Sequence, residues 1–293
     1  MAEQPETPLE PVEPVPFPEL FRLDGRVALV TGGAGLLGRR YCEVLRQAGA
    51  RVVIGDLDAA RAEALAVELS REDALGLHLD VADEASVQAT VEQSVARFGR
   101  LDILVNNAAL TVRGGSERDA RFAERYFAPF ETYRRDVWDQ ALAVNLTGMM
   151  LCAQAAGRQM LRQERGGVMV NVASTYGVVA PDQRLYEGVT SPYAKTGFNT
   201  PVSYAVTKTA VLGLTRYLAT HWGRHNIRVN ALTPHGVYDN HDEAFVRNFA
   251  YRSPLGRMAR NDEYRGALLF LVSDASSYMT GANLIVDGGW TAW

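Results

Sequence analysis

Short apolar runs rich in β-branched residues alternate along the chain with longer amphipathic stretches. Seven runs are predicted to be strands: RVALVTG from Arg26, RVVIGD from Arg51, GLHLDV from Gly76, DILVNN from Asp102, GGVMVNVAS from Gly166, IRVNALTP from Ile227 and NLIVDGG from Asn283. These runs are continuous rather than alternating, which is typical of parallel strands buried on both faces. The amphipathic stretches predict helices near 36–48, 58–70, 83–98, 136–162, 203–224 and 262–272. This alternation predicts an α/β fold, a doubly wound parallel sheet flanked by helices.

The first 20 residues differ in composition from the rest. Residues 1–19 hold six of the twelve prolines and five glutamates, without a basic residue. Because proline fixes φ and removes a backbone donor, we expect an extended acidic tail there and a single domain over 21–293. The sequence has neither an apolar run of membrane-spanning length nor the basic and apolar start of a signal peptide. A cytoplasmic protein without membrane contact is predicted.

The overall composition narrows the function. The chain has 293 residues, 47% hydrophobic and 22% charged, and a net charge of −4, which speaks against a nucleic-acid partner. Cys42 and Cys152 are its two cysteines, as suits a reducing compartment. The five histidines lack metal-ligand spacing with cysteines or clustered acids, so no metal site is predicted. Only Lys195 and Lys208 among the 30 basic residues are lysines, which makes them candidates for chemistry that arginine cannot perform.

A glycine-rich turn follows the first predicted strand and opens the next helix. Gly33, Gly35 and Gly38 give the spacing G-x-G-x-x-G. Glycines allow a tight turn and a close approach to a pyrophosphate, which sits on the N–H groups of the helix N-terminus. The turn therefore predicts a dinucleotide site in a Rossmann-type sheet.

Asp56 closes the second predicted strand. A carboxylate there accepts the hydroxyls of the adenosine ribose and repels a 2′-phosphate, which favours NAD over NADP. The alternative is that Asp56 is only an acid at a helix N-terminus, or a cap for the 58–70 helix. Arg39 and Arg40 follow the glycine turn and are candidates for contact with a phosphate.

Tyr204 and Lys208 stand four residues apart in SYAVTK, so they share one face of a helix. A free tyrosine has a pKa near 10, and a nearby ammonium is expected to lower it enough for acid–base chemistry on a hydroxyl or carbonyl group. Ser174 ends the fifth strand, where it can hold the substrate oxygen. Asn145, in the helical stretch VNLTG, is a candidate for organising a water in a proton relay.

Taken in order, these motifs resemble the short-chain dehydrogenases/reductases over about residues 23–293. The motifs are TGGAGLLG from Thr31, DV at 80–81, NNAA from Asn106, VNLTG from Val144, NVASTYG from Asn171, YAVTK from Tyr204, IRVNALTP from Ile227 and DASSYMTGANLIVDGG from Asp274. The resemblance implies a metal-free oxidoreductase that binds NAD(P)(H) and forms a homo-oligomer, a dimer or more often a tetramer.

The resemblance also implies roles for individual residues. The implied catalytic residues are Asn145, Ser174, Tyr204 and Lys208. The implied cofactor-binding residues are Gly32, Gly35, Leu37, Gly38, Asp56, Leu57, Asp80, Val81, Asn107, Ala108, Tyr204, Lys208, Pro234 and Val237. Tyr204 would exchange the proton, and Lys208 would also bind the nicotinamide ribose.

The chain departs from the family pattern at three short motifs. Leu36 replaces the usual middle glycine, and the resulting spacing is closer to the branch with sugar-nucleotide epimerases and dehydratases. Ala109 ends the NNAA motif where glycine is usual. His235 follows Pro234 in place of glycine, so its imidazole either faces the substrate or points to solvent.

Two segments are longer than the family pattern, near 110–135 and 180–202. The first carries six arginines, interpreted as a salt-bridged surface or as receptors for a substrate carboxylate or phosphate: Arg113, Arg118, Arg121, Arg125, Arg134 and Arg135. The second carries Tyr193 and Lys195, a tyrosine and a lysine that are only two residues apart, so they cannot share a helical face as a catalytic pair would. Lys195 is a further candidate receptor for a substrate carboxylate or phosphate. A lid is expected over 236–256, near His235 and His241.

The loop pattern and the ending VDGGWTAW resemble gluconate-type and other sugar or sugar-acid oxidoreductases. The leading hypothesis is an NAD-dependent enzyme that interconverts a secondary alcohol and a ketone on such a small molecule. One alternative is an epimerase or dehydratase that retains NAD and keeps the hydride internal. Another is a non-catalytic NAD-binding protein.

Overall fold

The structure is a computed structural model that describes residues 13–110, 112, 117–189 and 199–293, with side chains except at 117–119. Four predictions fall outside this range: those on most of the N-terminal tail, on Arg113 and on Tyr193 and Lys195. The side chain of Arg118 is outside it as well. The described end of the tail includes a 3-10 turn at Phe17–Phe21.

One parallel sheet forms the centre of the described chain. Its strands are β1 (Val27–Thr31), β2 (Arg51–Asp56), β3 (Ala74–His78), β4 (Ile103–Asn106), β5 (Gly167–Val172), β6 (Ile227–Pro234) and β7 (Asn283–Val286). Their order across the sheet is β3-β2-β1-β4-β5-β6-β7. The order reverses between β1 and β4, so a ligand crevice is expected where the carboxyl ends of these two strands separate. The predicted doubly wound sheet is confirmed.

Helices cover both faces of this sheet. They are α1 (Leu36–Gln47), α2 (Ala59–Leu69), α3 (Glu84–Phe98), α4 (Glu117–Tyr126), α5 (Arg135–Leu142), α6 (Gly148–Gln163), α7 (Val202–Trp222), α8 (Glu243–Arg252) and α9 (Arg265–Val272). Ala28 and Val30 of β1 face the core under α1, α2 and α9, whereas Val27 and Leu29 face the core under α3, α6 and α7. Burial on both sides explains why the central strands, β1, β2, β4, β5 and β6, are continuously apolar.

Several predicted boundaries were wrong, among them the end of the fifth strand, which is Val172 rather than Ser174. The third strand ends at His78 rather than at Asp80–Val81, because Asp80 begins a turn in which its Oδ1 accepts a hydrogen bond from Ala82 N at 2.9 Å. The helix predicted over 136–162 is interrupted by a π-helical turn at Ala143–Thr147, which separates α5 from α6.

None of the helices in the described ranges combines the length and the apolarity that crossing a membrane requires.

Candidate active site

The glycine loop, residues 32–38, joins β1 to α1, and its shape depends on missing side chains. Gly32 has a φ of +60°, and a Cβ there would lie 3.0 Å from the Cα of Ala108. A Cβ on Gly38 would lie 2.1 Å from the carbonyl oxygen of Gly32, so only glycine lets α1 start against the loop. Gly35 is the N-cap of α1, which has no side-chain cap and no acid in its first turn. The first N–H groups of α1 are therefore available to an anion.

The NNAA motif after β4 supports the glycine loop. The backbone N–H groups of Asn107 and Ala108 each donate to Thr31 Oγ1 at 3.0 Å. Asn107 Nδ2 donates to the carbonyl oxygens of Thr31 and Gly32 at 3.0 and 3.1 Å. These contacts hold two of the predicted cofactor segments side by side.

Asp56, at the end of β2, presents a buried carboxylate to the glycine loop. Its Oδ2 accepts from Ala34 N and its Oδ1 accepts from Asp58 N, both at 3.1 Å. The interpretation of Asp56 as the cap of α2 is wrong, because Asp58 is the cap and accepts from Arg61 N at 3.1 Å. The position beside the loop favours a ribose-binding role, which stays a prediction.

The two arginines proposed as phosphate contacts are paired with an acid of their own helix. Arg39 Nε and Arg40 Nη1 donate to Glu43 Oε1 at 3.1 and 2.9 Å. A third arginine, Arg61, was not predicted at this site, and its Nη2 donates to the carbonyl oxygen of Ala34 at 2.7 Å. The sequence could have indicated Arg61, because it lies in the first turn of the helix that follows Asp56.

The remaining predicted cofactor residues follow the strand ends or begin α1. Leu37 is half-buried in the first turn of α1, and Leu57 is exposed after Asp56. Val81 packs on α6, where a Cβ on Gly148 would lie 2.8 Å from the Val81 carbonyl oxygen. This close approach explains why α6 begins with glycine.

The end of β6 lies beside the segment that follows Ser174. Thr175 Oγ1 donates to the carbonyl oxygen of Pro234 at 3.4 Å. Val237 forms an isolated parallel bridge with Ala259. Pro234 therefore lies next to the segment that carries Ser174, and Val237 is held against Ala259.

Tyr204 and Lys208 lie one turn apart on α7. Lys208 Nζ is 5.7 Å from the centroid of the Tyr204 ring. It is buried and donates to the carbonyl oxygen of Val172 at 2.7 Å. The Ser174 hydroxyl lies within hydrogen-bonding reach of the Tyr204 hydroxyl, and Ser174 Oγ accepts from Tyr176 N at 3.2 Å. The structure thus brings three of the four predicted catalytic side chains together.

Burial controls the ionisation of both α7 groups. It raises the pKa of Tyr204 above the ordinary 10.0, while the hydrogen bond with Ser174 opposes the rise. Burial also lowers the pKa of Lys208 to about 8. The expectation that Lys208 lowers the pKa of Tyr204 is wrong for the chain without a ligand, because burial has the largest influence on that pKa and Nζ is directed at the Val172 carbonyl.

Asn145 lies in the π-helical turn between α5 and α6 and is fully buried. Its Oδ1 accepts from Leu110 N at 2.7 Å, and its Nδ2 donates to Thr207 Oγ1 at 3.2 Å on α7. A π-turn inside an α-helix is common at functional sites. The amide joins the segment after β4 to the helix that carries Tyr204, and its role in a water relay stays a prediction.

His235 turns inward. Its imidazole is 7% exposed, and its ring centroid lies 4.9 Å from that of Phe249, 4.4 Å from Trp290 and 5.4 Å from Tyr176. The interpretation that it points to solvent is therefore wrong. Its Nε2 is buried and has no hydrogen-bond partner among the described residues. Burial lowers the pKa of His235 to about 4, so the imidazole is neutral at pH 7.

The segment predicted as a lid, 236–256, contains α8, and α8 packs on the segment predicted as the second insertion. The Tyr186 ring stacks on Phe245 with centroids 5.4 Å apart and an interplanar angle of 12°. Asn248 Nδ2 donates to the carbonyl oxygen of Leu185 at 3.0 Å. These two non-adjacent segments therefore form one wall beside the site.

The first insertion carries exposed ion pairs. Arg125 and Arg134 pair with Asp136 at 2.5 and 2.9 Å, and Arg135 pairs with Asp139 at 2.8 Å. The interpretation as a salt-bridged surface is confirmed for these three arginines.

Comparisons with known proteins agree with this geometry. A family model described as enoyl-(acyl carrier protein) reductase matches residues 33–291. The chain is 38% identical over 281 residues to D-threitol dehydrogenase of Mycolicibacterium smegmatis, covering 92% of this chain and 95% of that protein. It is also 38% identical over 279 residues to trans-4-hydroxycyclohexanecarboxylate dehydrogenase of Sinomonas cyclohexanicum, with coverage of 92% and 95%.

A solved structure is similar over almost the whole chain. It is a gluconate 5-dehydrogenase from Burkholderia cenocepacia in complex with NADP and tartrate, with a TM-score of 0.80, 33% identity, and coverage of 94% of this chain and 99% of that one. The chain belongs to the short-chain dehydrogenase/reductase family, and it is an oxidoreductase that acts on CH–OH groups.

Proposed function

We propose that this protein is an NAD-dependent dehydrogenase/reductase that interconverts a secondary alcohol and a ketone on a polyol or sugar acid. The observation that carries the proposal is the convergence of Ser174 and Lys208 on Tyr204, beside the end of β6. Tyr204 is the general acid/base in this proposal.

The glycine loop fits a nicotinamide dinucleotide. Its backbone fills the space that a Cβ on Gly38 would need, and the uncapped start of α1 suits a pyrophosphate. When bound, the cofactor supplies a hydride acceptor or donor at the nicotinamide ring. Gly32, Gly38 and Asn107 would hold its phosphate end, and Lys208 would bind the nicotinamide ribose.

The catalytic side chains have different roles at the substrate oxygen. In the direction of oxidation, deprotonated Tyr204 takes the hydroxyl proton while the carbinol hydrogen leaves as hydride. The Ser174 hydroxyl donates to the same oxygen and holds it against Tyr204. With the cofactor bound, the Lys208 ammonium would favour the phenolate, against the burial that raises the pKa of Tyr204 in the chain without a ligand.

The preference for NAD rests on Asp56. Its carboxylate lies on the glycine loop, where it would accept ribose hydroxyls and repel a 2′-phosphate. Replacing Asp56→Ser is expected to lower the ratio of kcat/KM for NAD over NADP by about tenfold or more. Asp58→Ser is the matched control, since it removes the adjacent acid that caps α2. Wild-type protein that uses NADP as well as NAD would contradict the preference.

The substrate class rests on the relatives. Their names combine secondary alcohols with further hydroxyls or a carboxylate: threitol, hydroxycyclohexanecarboxylate and gluconate. The test follows nicotinamide absorbance with tetritols, aldonic acids, hydroxycyclohexanecarboxylates and simple secondary alcohols. Turnover with polyols or aldonic acids supports the proposal. Activity confined to simple alcohols would remove the polyol or sugar-acid part and keep the dehydrogenase.

Substrate conversion without net NADH formation would instead support the internal-hydride alternative, which the spacing around Leu36 favours. A cytoplasmic location and a homodimer or homotetramer stay predictions, and sedimentation of the purified protein tests the second.

A further inference from the structure

Three hydroxyl groups meet beside Tyr204, and two of them come from the second insertion. The hydroxyls of Tyr186 and Thr200 are 2.8 Å apart. The Tyr176 hydroxyl lies within hydrogen-bonding reach of both of them. We call Tyr176, Tyr186 and Thr200 the hydroxyl cluster.

The cluster borders the candidate catalytic residues. Tyr176 is two residues beyond Ser174, and its backbone N–H donates to Ser174 Oγ at 3.2 Å. The Tyr204 phenol is close enough to Tyr176 and Tyr186 to act on their ionisation. A substrate whose reacting oxygen lies between Ser174 and Tyr204 therefore extends toward the cluster.

Packing fixes the cluster in place. The Tyr186 ring stacks on Phe245 of α8, and the Tyr176 ring lies edge-on to His235. Thr200 is buried, and its backbone N–H donates to Gln183 Oε1 at 3.0 Å. Hydroxyls held in this way need little reordering when a ligand arrives, which favours selective recognition.

The hydrogen-bonding capacity of the cluster decides what it recognises. Burial raises the pKa of Tyr176, so its phenol stays protonated at neutral pH. Three hydroxyls bonded to one another consume their three protons, whereas each hydroxyl oxygen has two acceptor positions. The oxygens of Tyr176 and Thr200 can therefore accept one more hydrogen bond each. A partner that donates an O–H satisfies them, and an ether or a methylene does not.

We propose that Tyr176 is a specificity-determining residue whose hydroxyl, held by Thr200 and Tyr186, accepts a hydrogen bond from a second hydroxyl of the substrate near the reacting carbon. The proposal rests on the dehydrogenase function proposed above and adds the selection of diols over monohydroxy alcohols. It assigns the second insertion a function, because Tyr186 and Thr200 belong to it.

The test compares three substrates that differ only next to the reacting carbon: butane-2,3-diol, 3-methoxybutan-2-ol and butan-2-ol. For the wild type, kcat/KM is expected to be highest with the diol. Tyr176→Phe is expected to lower the ratio of diol to ether about tenfold, as the loss of one hydrogen bond does. Tyr133→Phe is the matched control, since it removes a phenol that bonds Ser203 Oγ at 2.6 Å at the start of α7. That control is expected to leave the ratio unchanged.

Thr200→Val provides a second, nearly isosteric variant and is expected to lower the same ratio. Equal losses with all three substrates in both variants would show a merely structural role and overturn the proposal. An unchanged ratio in both, or a wild type that does not distinguish diol from ether, would also overturn it. Wild-type protein that turns over none of the three substrates, nor any compound of the wider panel, would overturn the proposed function and this inference with it.

Discussion

The two sides of the crevice are built in different ways. The cofactor side depends mainly on backbone: the glycine loop, the uncapped start of α1, and the N–H groups of Asn107 and Ala108 that donate to the Thr31 hydroxyl. The substrate side depends on side chains from distant segments, such as Tyr176, Tyr186 and Phe245.

This difference separates a constrained surface from an adaptable one. A backbone cradle tolerates few residue types, because a single Cβ closes it. A wall of packed side chains changes its polarity with one hydroxyl while its shape is kept. The same fold can therefore retain its cofactor and change its substrate.

Removing the Tyr204 hydroxyl is expected to give the largest effect and to separate chemistry from cofactor binding. Tyr204→Phe should reduce kcat about 10³-fold, since general acid–base catalysis contributes on that order. NADH affinity, followed by fluorescence titration, should change little because the glycine loop is untouched. A variant that keeps most of its turnover would remove Tyr204 as the acid/base.

Low pH should destabilise the folded chain through His235, which lies on the substrate side. Its pKa is about 4 in the folded chain against an ordinary 6.5, so between these values the unfolded state binds the extra proton. The free energy of unfolding should therefore fall by about 3 kcal/mol as pH drops from 6.5 to 4. Asp287 opposes this shift and Phe249 and Trp290 pack on the ring. Denaturant unfolding should show a flatter pH dependence for His235→Phe; an identical slope in both proteins would contradict the assignment.

A methyl group at Gly38 should abolish cofactor binding through a clash confined to the cofactor side. The added Cβ would meet the Gly32 carbonyl oxygen at 2.1 Å, so Gly38→Ala should cost about 2 kcal/mol of stability and abolish thermal stabilisation by NAD. Gly213→Ala on α7 is the control, because its Cβ meets no described atom within 4 Å. Equal behaviour of the two variants would show that the loop tolerates a side chain.

Loss of the aromatic stack should give the smallest effect, confined to the substrate side. Phe245→Leu removes the contact with Tyr186 and should cost about 1 kcal/mol in thermal unfolding. The Kd for NADH should stay unchanged while the KM for a diol rises. An altered NADH affinity would show that the two sides are coupled.

The sequence predicted several elements around the site well because their signals are local. The β6 boundaries match the apolar run from Ile227 to Pro234, and α1 starts within the predicted helix. Tyr204 and Lys208 share a face as their spacing required. The N-cap of α2 was harder to predict, and it is Asp58 rather than Asp56.

The substrate side was predicted poorly because its contacts join residues far apart in the chain. No local pattern pairs Tyr186 with Phe245, or turns His235 toward Trp290. The π-turn around Asn145 was missed for a related reason, since the hydrogen bonds of Asn145 to Leu110 and Thr207 are tertiary. The pKa of Tyr204 followed burial, which spacing does not reveal.

The strand order carries a consequence for how the chain assembles during its synthesis. β1 is made first and lies inside the sheet; β2 and β3 then extend one side, and β4 to β7 extend the other in turn. Each newly translated strand therefore joins an edge that already exists, and none has to be inserted between two earlier ones. Folding can keep pace with the ribosome by simple addition, with the nucleotide crevice outlined as soon as β4 emerges.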